Sequence, residues 1–219
     1  MKSGSKPWLE GLEAGLPAEF DFGLLLTPDD ASSFIFRLPN KDRGSAAKAI
    51  VEQASSLRPN VAYQALIDAW DHDYGELGKA FGSYEALAGA FRKVAPRRAR
   101  RKPVRAWRGC DRPRAWYGFS WTLDRDCACW FAMRFGSTPF VYGCDFEPEW
   151  ILTEHNGRSE REVIADPQAI ERAGFVFLDE GNGIERDAEE IESPQDISAG
   201  GLQNWKMARD RWHAKFNRS

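Results

Sequence analysis

The sequence predicts an α+β protein: a mostly helical N-terminal region, residues 1–96, followed by a second region, residues 97–219, built from short strands and flanking helices. Two patterns support this prediction. Apolar side chains recur at three- and four-residue spacing over residues 45–94, as they do on the buried face of a helix. The apolar stretches after residue 104 are short, rich in β-branched and aromatic residues, and bounded by Gly, Pro or Asp, as strands are.

The N-terminal region is predicted to hold three helices. Its first 40 residues show no motif, and we expect loops and short strands there, anchored by Phe and Leu side chains. Ser45 and Ser83 have the hydroxyl that a helix N-cap uses, and Pro96 ends the last helical pattern because proline lacks a backbone donor. The expected helices span residues 45–57, 61–73 and 83–94.

The second region is predicted to hold two helices and five strands. Asp124 can cap the first of these helices, and Trp130 and Phe131 are expected in its buried face. The expected strands span residues 104–108, 140–146, 150–153, 161–165 and 174–178, and the expected helices span residues 125–135 and 201–216.

The composition is typical of a globular protein. Nine Trp and fourteen Phe allow a large aromatic core. No apolar run approaches the roughly 20 residues that a membrane helix needs, and residues 1–7 lack the apolar stretch of a secretory signal. We therefore expect no membrane segment and a cytoplasmic location, with delivery into a target cell left open.

The four cysteines are expected to be reduced, partly buried thiols. A disulfide framework is unusual at this length without a secretory signal. Cys127 and Cys129 are separated by one residue, which is shorter than the usual zinc-binding spacer, and the chain contains only three His. We expect no metal site.

Charge is distributed unevenly, although the net charge is only −3. Residues 91–108 carry nine Lys or Arg and no acid, whereas residues 179–196 carry eight acids and one Arg. The basic run suits phosphates or an acidic partner, and it suits a solvated linker equally well. Both interpretations stay open.

Three short segments of the second region contain the residues that suggest chemistry. They are Trp107-Arg108-Gly109 at a strand end, Gly118-Phe119-Ser120-Trp121-Thr122 before a helix, and the segment 156–164, which contains Glu160-Arg161-Glu162. In these segments, over about residues 104–178, the chain resembles the arginine–serine–glutamate branch of the ADP-ribosyltransferases. That family has an Arg on its first strand, then Ser-x-Ser or Ser-x-Thr, then Glu-x-Glu, in this order.

The resemblance implies a split β-sandwich with flanking helices that binds NAD as its substrate. It assigns Glu162, Glu160 and Ser120 to catalysis, and it assigns cofactor binding to Arg108, Gly109, Ser120, Trp121 and Thr122. Cleavage of the nicotinamide–ribose bond passes through an oxocarbenium-like transition state, which the Glu162 carboxylate would stabilise. Arg108 would bind the diphosphate, Ser120 would orient Glu162, and Glu160 would receive the acceptor's proton.

Two residues apart on an extended chain, Glu160 and Glu162 are expected to point to the same side. Trp121 and Trp116 are candidates for stacking on nicotinamide or on an acceptor base. Each residue also has a structural interpretation: Arg108 as the end of the basic run, Ser120 as a strand-end hydroxyl, and the two Glu as a solvated edge-strand pattern. His155 is expected at the surface.

The function expected from the resemblance is mono-ADP-ribosylation of a macromolecular acceptor, either a protein arginine or a nucleic-acid base, by a bacterial or phage toxin or effector. Two alternatives stay open: an inactive nucleic-acid- or protein-binding module on the same fold, and an NAD glycohydrolase with water as the acceptor. The helical N-terminal region would bind the target, bind an inhibitor or antitoxin protein, or only cover the sheet.

Overall fold

The structure is a computed structural model that describes residues 6–96, 102–110, 117–133, 140–156, 160–173 and 177–178. Contacts divide the chain into two compact units, Met1–Arg98 and Ala99–Ser219. The region boundary expected after residue 96 lies close to this division. The described part of the first unit is helical and that of the second combines helices with a sheet, so the α+β class is confirmed.

The described residues of the first unit form four α-helices preceded by three short 3-10 helices. The expectation of loops and short strands in the first 40 residues was wrong, because α1 lies there. Thr27 and Asp30 form a capping box, with the Asp30 amide 3.2 Å from the Thr27 hydroxyl, and Pro28 occupies the first helical position. The helices are α1 (Pro28–Arg37), α2 (Asn40–Glu52), α3 (Pro59–Phe81) and α4 (Tyr84–Val94), and the 3-10 helices span Pro7–Leu9, Leu12–Ala14 and Phe22–Leu24.

Of the two predicted serine caps, one is confirmed and one is wrong. The Ser83 hydroxyl accepts a hydrogen bond from the Ala86 amide at 3.1 Å and starts α4. Ser45 lies inside α2, which begins at Asn40 instead. Helix α2 packs closely on α3 at Gly44, where a Cβ would lie 2.5 Å from the Glu76 carbonyl oxygen.

The helix predicted at residues 61–73 is longer in the structure. It starts at Pro59 and runs to Phe81, with a break at Asp73, where φ is −144° and ψ is 48°. The predicted end therefore coincides with a kink. Arg43 of α2 forms an ion pair with Asp73 at 3.1 Å, so this kink is bound by a side chain from a neighbouring helix.

In the part of the second unit that the structure describes, six strands form one sheet in the order β4-β5-β2-β1-β3-β6, and every pair of neighbours is antiparallel. Each predicted strand has a counterpart, with ends that differ by a few residues. The strands are β1 (Val104–Cys110), β2 (Ser120–Thr122), β3 (Phe140–Phe146), β4 (Ile151–His155), β5 (Glu162–Ala165) and β6 (Phe177–Leu178). The helices are α5 (Arg125–Met133), α6 (Pro167–Ala173) and a 3-10 helix, Pro148–Trp150.

Helix α5 packs on one face of this sheet, next to β1. The predicted cap is confirmed, since the Asp124 carboxylate accepts a hydrogen bond from the Asp126 amide at 2.9 Å. A Cβ on Gly109 would lie 2.5 Å from the Ala132 amide and still closer to the Ala128 carbonyl. A side chain at position 109 would therefore separate α5 from β1. Buried residues on this side are Ala128, Cys129, Ala132 and Val141, with Trp107 packed against them.

The opposite face of the sheet carries the larger apolar core of this unit. Its aromatic centre is the edge-on contact of Trp121 with Phe146, whose ring centroids are 5.0 Å apart. Alternation along the strands accounts for the other strand residues of the cluster, which Ile170 of the following helix completes. The buried members are Ala106, Cys110, Trp121, Tyr142, Cys144, Phe146, Val163, Ala165 and Ile170.

All four cysteines lie in the described residues, where they are buried and form no disulfide. Among the described helices, none has the length and hydropathy that crossing a bilayer requires. Trp130 and Phe131, expected in the core, are half-buried. Several expectations lie outside the described residues: the helix at 201–216, the acidic run 179–196, Trp116, residues 97–101 of the basic run, and the ends 134–135 and 174–176 of predicted elements.

Candidate active site

Ser120 and Glu162 meet on neighbouring strands. In the β2–β5 register, Thr122 is opposite Glu162 and Ser120 is opposite Ile164, so the Ser120 and Glu162 side chains lie on the same face of the sheet. The Ser120 hydroxyl donates a hydrogen bond to Oε1 of Glu162. Only 3% of Glu162 is exposed, so its carboxyl group is held in a low-dielectric environment by a defined donor.

Thr122 connects the same strand to the residues before β5. Its hydroxyl donates to the Glu160 carbonyl oxygen at 2.6 Å and accepts from the Asp124 amide at 3.0 Å. The Leu123 amide donates to the Arg161 carbonyl at 3.1 Å. Segment 120–124 therefore binds segment 160–162 through both side chains and main chain, and it does so immediately before α5 begins.

The alternation argument that put Glu160 and Glu162 on one side of an extended chain was wrong. Strand β5 begins at Glu162, and Arg161 has a φ of +47°, in the left-handed region. An extended pleat therefore does not pass through all three residues. Burial, with the negative charges of Glu160, Asp124 and Glu162, raises the pKa of the Cys127 thiol at the start of α5 well above its ordinary value.

Arg108 binds the main chain of β2. Strands β1 and β2 pair at Trp107 and Thr122, and further along the Arg108 guanidinium donates to the Ser120 carbonyl oxygen. A Cβ on Gly118 would lie 2.8 Å from Nη2 of Arg108, so the guanidinium packs directly over the glycine. Strand alternation places the Cβ atoms of Arg108 and Glu162 on opposite faces of the sheet. The structure thus brings Arg108 to the backbone of Ser120.

Two residues assigned to cofactor binding, Gly109 and Trp121, pack against other parts of the second unit. Gly109 faces the backbone of α5, as described above. Trp121 is 2% exposed and belongs to the apolar core on the face opposite Ser120. Its indole N–H donates to the Gly118 carbonyl at 3.1 Å. The prediction that Trp121 stacks on nicotinamide is therefore wrong for this arrangement, because its ring packs in the apolar core and its indole N–H is hydrogen-bonded to the main chain.

His155 was expected at the surface, and the structure places it next to the candidate carboxylate. It is half-buried and lies directly opposite Glu162 in the β4–β5 register. Side chains opposed in this way have Cβ atoms about 5 Å apart. No local pattern could have revealed this neighbour, because it depends on which residue of β4 pairs with which residue of β5.

No family model, curated protein or solved structure matches the chain. No group of three or more His, Cys, Asp or Glu side chains that could hold a metal ion occurs in the part of the chain that the structure describes. The site is thus defined by its own geometry: a buried Glu162 bound by Ser120, an Arg108 bound to the same serine, and Glu160 held by Thr122.

Proposed function

We propose that this chain is an NAD-dependent mono-ADP-ribosyltransferase that moves ADP-ribose from NAD to a macromolecular acceptor. The hydrogen bond from Ser120 to the buried Glu162 is the observation that carries the proposal. These two residues are 42 positions apart in sequence. The resemblance, which rests on sequence motifs alone, assigns both of them to one catalytic unit.

The arrangement of strands is a second support. The strands that contain Arg108, Ser120 and Glu162 are β1, β2 and β5, and they lie side by side in the sheet. The three motif residues therefore follow one another across adjacent strands of the sheet as they do along the chain. We extend the proposal to the fold, which would be that of an ADP-ribosyltransferase with its characteristic split β-sandwich and flanking helices.

In the proposed reaction, the bond between the ribose C1′ and the nicotinamide nitrogen breaks, and nicotinamide leaves with the bonding electrons. Glu162 stabilises the positive charge that develops on the ribose, and its burial strengthens this interaction. Ser120 keeps the Glu162 carboxylate in one orientation, which lowers the cost of reaching the reactive geometry. A nucleophile of the acceptor then bonds to C1′.

Arg108 and Glu160 have distinct proposed roles. The Arg108 guanidinium suits the NAD diphosphate because it is planar and always charged. Glu160 takes the proton that the acceptor nucleophile loses on bonding to C1′, and it releases that proton to solvent. The acceptor is a protein arginine or a nucleic-acid base.

The decisive experiment measures NAD turnover with Glu162→Gln against a matched control, Glu171→Gln, which changes an exposed residue of α6. The purified protein is incubated with labelled NAD and a cell lysate, followed by nuclease or protease digestion. We expect Glu162→Gln to lose at least ~3 kcal/mol of transition-state stabilisation while its circular dichroism is unchanged, and Glu171→Gln to behave as wild type.

The fate of the label separates the alternatives. Label that survives nuclease but not protease indicates protein acceptors, and the reverse indicates nucleic acid. Free ADP-ribose alone indicates a glycohydrolase. Absence of any NAD turnover by the wild type would overturn the enzymatic proposal and favour a binding module on the same fold.

A further inference from the structure

Arg161 has a backbone conformation that is uncommon for its residue type. Its φ of +47° lies in the left-handed region, and no other non-glycine residue in the described ranges has a positive φ. Side chains with a Cβ are disfavoured there, so the surrounding structure must hold the residue in place. Arg161 is also the residue between Glu160 and Glu162, so this conformation sets the position of one carboxylate relative to the other.

Two hydrogen bonds hold Arg161 from opposite sides. Its amide donates to Oδ1 of Asn156 at 3.0 Å, and its carbonyl accepts from the Leu123 amide at 3.1 Å. The second bond depends on β2 and the start of α5, which are packed elements. The first depends on a single exposed side chain that follows the end of β4. Substitution of Asn156 is therefore the simplest way to remove one of the two hydrogen bonds that support the left-handed conformation of Arg161.

The consequence for the site follows from the neighbouring contacts. With Arg161 left-handed, the Glu160 carbonyl is directed at the Thr122 hydroxyl while Glu162 begins β5 beside Ser120. If Arg161 relaxed to an extended conformation, the direction of the chain at Glu160 would change but the β2–β5 pairing that holds Glu162 would remain. Glu160 can thus be displaced without displacing Glu162.

We propose that Asn156 is a positioning residue that, by holding Arg161 left-handed, sets where Glu160 lies and thereby the partition of ADP-ribose between a guanidinium acceptor and water. This inference rests on the proposed function, since it concerns the second of the two candidate carboxylates. Cleavage of NAD depends on Glu162 and does not require Asn156. Deprotonation of the acceptor depends on Glu160 and therefore requires Asn156.

The test compares Asn156→Ala with the conservative Asn156→Asp, which keeps an acceptor oxygen, and with the double variant Asn156→Ala/Arg161→Gly. Glycine adopts a left-handed φ without support, so Arg161→Gly should compensate for the loss of the Asn156 side chain. Asn60→Ala, at an exposed position of α3, is the control. Transfer is measured with agmatine, a small guanidinium compound, and hydrolysis is measured as release of free ADP-ribose, both on the full-length chain.

We expect Asn156→Ala to lower the transfer-to-hydrolysis ratio by about tenfold, the effect of losing roughly one hydrogen bond, with hydrolysis changed by less than about twofold. Asn156→Asp and the double variant should have ratios near that of the wild type. An unchanged ratio in Asn156→Ala, an equal loss of both activities, or a wild type that hydrolyses NAD without modifying agmatine would each overturn the proposal.

A second measurement separates this proposal from the proposed function. Hydrogen exchange of the Leu123 amide reports on the Arg161 carbonyl that it binds, whether or not NAD is turned over. We expect exchange about tenfold faster in Asn156→Ala and restored in the double variant. Normal Leu123 protection in Asn156→Ala would overturn the positioning role even in an active enzyme. If Leu123 protection is lost in Asn156→Ala and restored in the double variant but the wild type never cleaves NAD, the positioning of Arg161 by Asn156 is correct and the proposed enzymatic function is wrong.

Discussion

The Ser120 hydroxyl donates to a Glu162 carboxyl group that is only 3% exposed, across the pairing of β2 and β5. A hydrogen bond to a carboxylate in this environment contributes more than one at the surface, because water has little access to the buried carboxyl group. The contact therefore supplies the first prediction, which concerns how far the two residues act as one unit.

Ser120→Ala should lower kcat/KM for NAD by one to two orders of magnitude, since the carboxylate loses its orienting donor. The double variant Ser120→Ala/Glu162→Gln should be little worse than Glu162→Gln alone. Steady-state NAD turnover of the wild type, both single variants and the double variant gives the coupling free energy, expected at about 1–3 kcal/mol. Additive effects would mean that Ser120 does not act through Glu162.

Gly118→Ala tests Arg108 without changing it. The added methyl would lie 2.8 Å from Nη2 of Arg108, and the end of a long side chain can move aside at small cost to the fold. We expect the KM for NAD to rise about tenfold, as for loss of one hydrogen bond, with a melting temperature near that of the wild type. Gly89→Ala, which has nothing near the new methyl, is the control. An unchanged KM would remove Arg108 from the NAD-binding proposal.

Gly109→Ala should act on stability instead. The new methyl would clash with the backbone of α5 at Ala128 and Ala132, and helix backbone cannot move aside as a side chain can. We expect the free energy of unfolding to fall by about 3 kcal/mol, measured by urea denaturation. A variant as stable as the wild type that binds NAD weakly would instead support the cofactor role that the resemblance assigns to Gly109.

Buried thiols predict a loss of stability at alkaline pH. Burial, with the nearby Asp145 charge, raises the pKa of Cys144 from its ordinary 9.0 to about 12. Above pH 9 the unfolded chain loses this proton while the folded chain keeps it, so the stabilisation present below pH 9 is lost as pH rises toward 12. The slope from this thiol should approach about 1.4 kcal/mol per pH unit.

Urea denaturation of wild type and Cys144→Ala between pH 8 and 10.5 measures this slope. The absolute stability of the variant will differ because a side chain is removed, but the difference in slope isolates the thiol, since Lys and Tyr titrate in both proteins. Wild type should lose stability more steeply than Cys144→Ala. Parallel pH profiles would show that Cys144 ionises equally easily in the folded and unfolded chains.

Local patterns in the sequence were sufficient for much of the fold. Ser83 and Asp124 cap α4 and α5 as their side chains indicate, and 140–146 is a strand with the predicted ends. Two differences concern helix starts. The helix α1 begins with a Thr27–Asp30 capping box, which is a pattern of neighbouring residues, whereas α2 begins at Asn40 without a side-chain N-cap, so no cap residue marks its start.

The sequence by itself determined which residue types are available for chemistry and in what order: Arg108, then Ser120, then Glu160 and Glu162. It could do so because motifs and helix caps are properties of a few neighbouring residues. Tertiary structure alone decided that Ser120 binds Glu162, that Arg161 is left-handed and that His155 lies opposite Glu162. These relationships depend on strand register and on hydrogen bonds between segments distant in sequence, and a one-residue change of register would reverse the face of every side chain.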